Sequence, residues 1–133
     1  MSVPRAVRIA VAAVLLAACA RDGTPATSVT AEAFAAELAS GRADDAARLV
    51  IVDLRAPSRY EEGHIPGAIS LPWPDAEARA PRALDRTHDI VLVDDDGTVS
   101  ETLAATLTAA GFPRVRVVDG GMARWRGPLE RSS

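Results

Sequence analysis

Apolar residues fall along this chain in two patterns: helical stripes with polar gaps, and short unbroken runs rich in Val and Ile. Residues 30–40 place Phe34 and Leu38 four apart, with Glu32 and Glu37 off that face, which predicts an amphipathic helix; Gly41 stands where a C-terminal cap belongs. Residues 49–54, LVIVDL, have no polar position until Asp53 and predict a strand buried on both sides. Residues 56–62 predict a short helix with Pro57 near its start. Residues 63–68, GHIPGA, predict a turn, and residues 69–71 a short strand. Residues 72–81 read as irregular, with Trp73 packing inward and Pro74 as a helix opener. Residues 89–93 predict a strand. Residues 99–110 predict a helix, with Leu103 and Leu107 four apart and Gly111 after it; residues 115–118 predict the last strand. Residues 120–125 predict a short closing helix anchored by Trp125. Strands and helices alternating at this length imply an α/β domain with a mostly parallel central sheet and helices on both faces.

The 133 residues suffice for one domain, and 48% apolar content for a modest core. All fifteen basic residues are Arg, which reads as compositional bias. A net charge of −3 argues against nonspecific nucleic-acid binding, and no nucleic-acid partner is expected. The single cysteine, Cys19, allows no intramolecular disulfide.

The N-terminal segment reads as an address. Arg5 and Arg8 precede the apolar run of residues 9–18, which is too short to span a bilayer but has the length of a signal-peptide core. Leu16-Ala17-Ala18-Cys19 resembles the lipobox of bacterial lipoproteins. That resemblance implies cleavage after residue 18, lipid on Cys19, and attachment to the cell envelope facing the periplasm. An Asp after the cysteine would favour retention in the inner membrane; Ala20 points instead to the outer membrane. The processed chain would carry 13 Arg against 18 acids, a charge of −5. Residues 19–28, polar with Gly and Pro, read as a lipidated tether; residues 29–128 read as the domain and 129–133 as a tail.

The stretch IVLVDDDGTVS, residues 90–100, carries the candidate chemistry. A strand running through a tight turn into a helix N-terminus makes an anion cradle, because unpaired backbone N–H groups converge there. Asp94, at the strand end, stands where an enzyme would place its nucleophile, yet Asp94, Asp95 and Asp96 are an odd choice for holding an anion. Read plainly, they form a solvated acidic turn. Asp53 and Arg55, at another strand end, are expected to pair or to cap backbone donors. His64 reads as a structural hydrogen-bonder rather than a base. Gly63 and Gly67 permit unusual backbone angles, Pro66 stiffens the turn between them, and Gly120-Gly121 reads as a tight turn after a strand.

Asp53-Leu54-Arg55, then Tyr60-Glu61, then Gly63-His64-Ile65-Pro66-Gly67-Ala68 and Pro72 resemble the N-terminal signature of rhodanese-like sulfurtransferase domains. Ala110-Gly111-Phe112, the strand at 115–118, Gly120-Gly121 and Trp125 are similar to that family's C-terminal half. The resemblance implies a single rhodanese-like α/β domain. In active members a Cys ends the strand before the second main helix, within a Cys-x-x-Gly-x-Arg-Ser loop. The corresponding run here is Asp94-Asp95-Asp96-Gly97-Thr98-Val99-Ser100: Gly97 and Ser100 match, Asp94 stands at the Cys position and Val99 at the Arg position. Sulfur transfer needs a thiolate to attack the donor and hold a persulfide, which a carboxylate cannot do. The expectation is a catalytically degenerate binding or scaffolding module with no cofactor, an acidic site pocket, and an unidentified protein or small-molecule partner.

Asp94-x-Asp96-Gly97-Thr98-Val99 also resembles the first motif of haloacid-dehalogenase-like phosphatases, which implies an Asp nucleophile and Mg²⁺ held by Asp94 and Asp96. The Lys of that family is missing, as is its usual length, and downstream of Glu101 only Asp119 and Glu130 are acidic. An Asp-based metal-dependent hydrolase and a sulfur carrier therefore stand as alternatives to the binding module.

Overall fold

The computed structural model describes residues 26–41 and 47–132. Cys19 and its apolar run lie outside the described residues. The elements in order are β1 (Thr27–Thr30), α1 (Ala31–Ala39), β2 (Leu49–Asp53), α2 (Pro57–Glu62), β3 (Ile69–Ser70), α3 (Asp75–Ala83), β4 (Asp89–Val93), α4 (Thr98–Ala109), β5 (Val115–Asp119) and a closing 3-10 turn, Gly121–Arg124. The five strands form one sheet in the order β1-β5-β4-β2-β3, and every pairing is parallel.

The apolar strand residues explain the layers. Side chains alternate across a strand, so consecutive apolar residues supply both faces. Val52, Ile90, Leu92 and Val117 face a core completed by Ala76 and Ala80 of α3 and by Leu103, Ala104 and Leu107 of α4. Ile51, Val91, Val93 and Val118 face a second core with Phe34 of α1, Ile65, Ala68 and Trp125. β4 lies at the centre, and all of its residues after Asp89 are buried. Its C-terminal end therefore opens at the middle of the sheet edge, where open α/β sheets place their sites.

Three elements differ from the sequence expectation. Thr27 and Ser28, assigned to the tether, form an edge strand with Val29 and Thr30 and pair in register with Arg116 to Asp119. Thr-Ser-Val-Thr has no apolar run to announce a strand; pairing with β5 supplies its backbone partners. Residues 72–81, read as irregular, are mostly the helix α3, with Pro74 as its N-cap and Pro81 inside it. Pro81 lies one turn or less from the helix end, and burial of Ala76 and Ala80 against α4 holds the helix despite the lost donor. Trp73 is half-buried and packs against this core. Beyond Pro128, the expected tail is pinned: Glu130 forms an antiparallel bridge with His64.

Candidate functional site

The loop after β4 folds around its first residue. Continuing the alternation of β4 one step past Val93 aims Asp94 to the α4 side, and Asp94 is 2% exposed. Its Oδ1 accepts the Gly97 N–H at 2.7 Å and the Ser100 hydroxyl at 2.8 Å, and its Oδ2 accepts the Val99 N–H at 2.9 Å. The N-terminus of α4 thus holds a carboxylate from its own chain, where orphan N–H groups and the helix dipole favour negative charge. Gly97, the N-cap, has φ 98°, a left-handed conformation that turns the chain back over Asp94.

Asp95 and Asp96 are exposed, so the expected solvated acidic turn describes these two and not Asp94. Asp96 Oδ1 accepts the Thr98 N–H at 3.0 Å. Hydrogen bonds from the Thr98 backbone and side chain hold the Asp96 carboxyl below its ordinary pKa. Val99 is half-buried and packs against the α3–α4 core, so no cation extends from this position into the loop. Among the described residues, no group of three or more His, Cys, Asp or Glu side chains is placed to hold a metal ion, and Asp94 and Asp96 are directed to separate backbone donors.

The closing turn fixes the loop from its other side. The Met122 N–H donates to the Asp94 carbonyl at 2.8 Å and the Ala123 N–H to the Asp95 carbonyl at 3.0 Å. Gly121 has φ 59°, and a Cβ there would collide with the Asp94 carbonyl oxygen and the backbone of Asp95 and Asp96. The Gly120-Gly121 pair is therefore a tight turn pressed against the loop. Trp125 anchors it: the ring packs on Phe34 at 6.1 Å between centroids, and Nε1–H donates to the Pro128 carbonyl at 3.0 Å.

The Asp53–Arg55 residues and the turn after α2 form a second cluster. Arg55 is bound twice by Asp53, Nε to Oδ1 at 3.0 Å and Nη2 to Oδ2 at 2.7 Å, and both side chains are buried. Arg55 Nη2 also donates to the Gly63 carbonyl at 2.8 Å, which ties the turn to β2. Ala68 N–H closes on the Ile65 carbonyl at 3.0 Å, with Pro66 and Gly67 (φ 84°) as the central residues of the turn. The His64 ring stacks on Tyr60 at 3.8 Å, and its Nδ1 lies 2.8 Å from the Tyr60 carbonyl. Burial, reinforced by the Asp53 and Glu130 carboxylates, raises the Tyr60 phenol above its ordinary pKa; the neutral hydroxyl donates to the Ala68 carbonyl at 2.6 Å. Sequence reasoning gave Tyr60 no role, although it stands four residues before His64; Glu130 left no signal that could have placed it here.

Comparison with known proteins agrees with this geometry. A family model described as "Rhodanese-like domain" matches residues 30–128. The chain is similar to the putative sulfur carrier protein YrkF of Bacillus subtilis (strain 168), with 35% identity over 89 residues, covering 67% of this chain. It spans only 48% of the length of that relative. It is also similar to the thiosulfate sulfurtransferase GlpE of Pseudomonas syringae pv. syringae (strain B728a), 38% identical over 79 residues, 58% of this chain and 72% of that protein. Among solved structures it resembles the rhodanese-like domain of the Alr3790 protein from Anabaena sp., with a TM-score of 0.68, 29% identity, and 82% and 80% of the two chains covered.

Proposed function

The chain belongs to the rhodanese-like domain family, and from that premise we propose that it is a non-catalytic member, a binding or scaffolding module held at the bacterial cell envelope. One observation carries this reading: the Asp94 carboxylate accepts hydrogen bonds from Gly97 N–H, Val99 N–H and the Ser100 hydroxyl. Asp94 stands where the family signature has its cysteine, so the loop offers no sulfur nucleophile. The same loop already holds an anion, which leaves its donors engaged and opposes a second negative charge such as thiosulfate. Val99 supplies no cation to compensate. An aspartate-based hydrolase would need a carboxylate oxygen of Asp94 open to a phosphate ester, whereas Asp94 is 2% exposed and its carboxylate faces its own loop.

Arg5, Arg8, the apolar run of residues 9–18 and Leu16-Ala17-Ala18-Cys19 support cleavage before Cys19 and lipid on it, with the domain facing the periplasm. A lipidated Cys19 is unavailable as a sulfur carrier. The exposed Asp95 and Asp96 leave an acidic rim for a partner to meet.

Thiosulfate:cyanide sulfur transfer by the purified protein tests the central claim. The wild type is expected to be silent, and the Asp94→Cys/Val99→Arg variant to gain activity, because the turn and helix N-terminus that cradle the family's thiolate are retained. Activity in the wild type that survives Cys19→Ser would overturn the reading.

A further inference from the structure

We propose that Asp119-Gly120 is a site of spontaneous modification, where the chain closes to a succinimide and reopens as isoaspartate, and that the fold shields the equivalent pair in the site loop, Asp96-Gly97. The sequence holds three Asp-Gly pairs, at 22–23, 96–97 and 119–120. The first lies outside the described residues. The ring closes through the nitrogen of the residue after the aspartate, and a glycine there brings no Cβ to crowd the approach. The Gly120 nitrogen bonds to the side-chain carbonyl carbon of Asp119, and its proton and the carboxyl hydroxyl leave together as water. Water then adds to either ring carbonyl and breaks one carbon–nitrogen bond. Breaking the bond to the side-chain carbon restores aspartate. Breaking the bond to the main-chain carbon leaves Gly120 joined through the side chain, and the main chain is longer by a methylene. Water lost in the first step is regained in the second, and nothing is oxidised or reduced.

Closure needs a nitrogen free to attack and a carboxyl that gives up its hydroxyl as water, which a carboxylate held in its charged form resists. Asp96-Gly97 is closed on both counts. The Gly97 N–H donates to Asp94 Oδ1 at 2.7 Å, and Gly97 is buried. Asp96 Oδ1 accepts the Thr98 N–H at 3.0 Å, and the Thr98 hydrogen bonds favour the charged carboxylate. Asp119-Gly120 is open. Asp119 is exposed and is the last residue of β5, in register with Thr30 at the end of the edge pairing. Gly120 lies beyond that ladder, and among the described residues its N–H has no backbone acceptor. The nearest atoms to a Cβ built at Gly120 belong to the exposed Arg124 side chain, which can yield as the peptide group turns.

The added methylene would fall directly before the turn that holds the site loop. Met122 and Ala123 donate their N–H groups to the Asp94 and Asp95 carbonyls from this turn. Gly121 is pressed against the same backbone, where even a Cβ would collide. A longer chain at position 119 displaces these donors, so the modification loosens the Asp94 loop from its closing turn. None of this depends on whether that loop is catalytic.

Ageing the purified, folded protein for several weeks at neutral pH, then digesting it with trypsin and labelling with isoaspartyl methyltransferase, tests the proposal. The chain has no Lys, so cleavage at Arg places Asp119 in residues 117–124 and Asp96 in residues 87–114. Each rate is compared with that of the same peptide aged after digestion. Residues 117–124 are expected to take up label in the folded protein. Relative to its free peptide, 87–114 should label at least roughly tenfold more slowly than 117–124, the factor set by breaking one charge-assisted hydrogen bond at Gly97. Asp119→Glu keeps the charge but would have to close a larger ring, and should leave 117–124 unlabelled. Aged wild type should also melt below aged Asp119→Glu. An unlabelled 117–124 in folded wild type once the free peptide is labelled, equal relative rates at the two pairs, or label persisting in Asp119→Glu would overturn the modification site. Identical melting of the two aged proteins despite labelling would overturn its link to the loop.

Discussion

Asp94, Asp95 and Asp96 are chemically identical, and the fold gives each a different task. Asp94 is enclosed and serves three donors, Asp96 caps a backbone N–H, and Asp95 is exposed, with its carbonyl held by Ala123. Replacing Asp94 by Asn tests the enclosed one. With the amide oxygen kept toward Gly97 and Ser100, the amide nitrogen must face the Val99 N–H, donor against donor. Urea unfolding is expected to show a loss of about 1–3 kcal/mol with little change in slope. Stability equal to wild type would mean these hydrogen bonds do not hold the loop. The glycine pair gives a second test. Gly120 and Gly121 both have left-handed φ, so an Ala at either costs about 1–2 kcal/mol in backbone strain. The nearest atoms to a Cβ at Gly120 belong to the flexible Arg124 side chain, whereas at Gly121 they belong to the loop backbone of Asp94 to Asp96. Gly121→Ala should therefore lower the thermal midpoint clearly more than Gly120→Ala does.

The elements divide into those announced by local pattern and those made by contact. β2, β4 and β5 were legible because Val and Ile runs fit a sheet covered on both faces. β1 was not, because Thr-Ser-Val-Thr becomes a strand only by lying beside Arg116 to Asp119. α3 was hidden by its prolines, and its identity rests on two buried alanines that also suit a loop. At the start of α4, the Asp96–Thr98 hydrogen bonds stabilise the charged carboxylate. A folded-state pKa below the unfolded value contributes stability above the unfolded pKa and loses it as pH falls through the folded one. The stability advantage of wild type over Asp96→Asn should accordingly narrow as pH is lowered from about 6 to about 2. An advantage that persists undiminished at the acid end would show that the charge on Asp96 contributes nothing to the helix start.

For the molecule as a whole, the parallel sheet collects every strand C-terminus, and so the Asp94 loop and the closing turn, at one edge. Cys19→Ser should move the protein from the membrane fraction to the soluble fraction, with the domain's melting temperature unchanged. Retention in the membrane fraction would count against the lipid on Cys19. Among the described residues, no helix is long and apolar enough to cross a membrane.

The sequence by itself determined the α/β class, the central strands, the helix expected at 99–110 and found at 98–109, and the turn at Gly63 to Ala68. These follow from side-chain period and from the backbone limits of Gly and Pro, which act over a few residues. It also placed a carboxylate at the end of β4. Only the tertiary structure decided where that carboxylate goes. Three consecutive aspartates look alike until the strand direction and the α4 N-terminus select one to be enclosed. Tertiary structure alone likewise brought Glu130 to His64, 66 positions earlier in the chain, and β1 to β5. Such contacts depend on where separate elements pack, and no local pattern of hydrophobic and polar residues encodes that position.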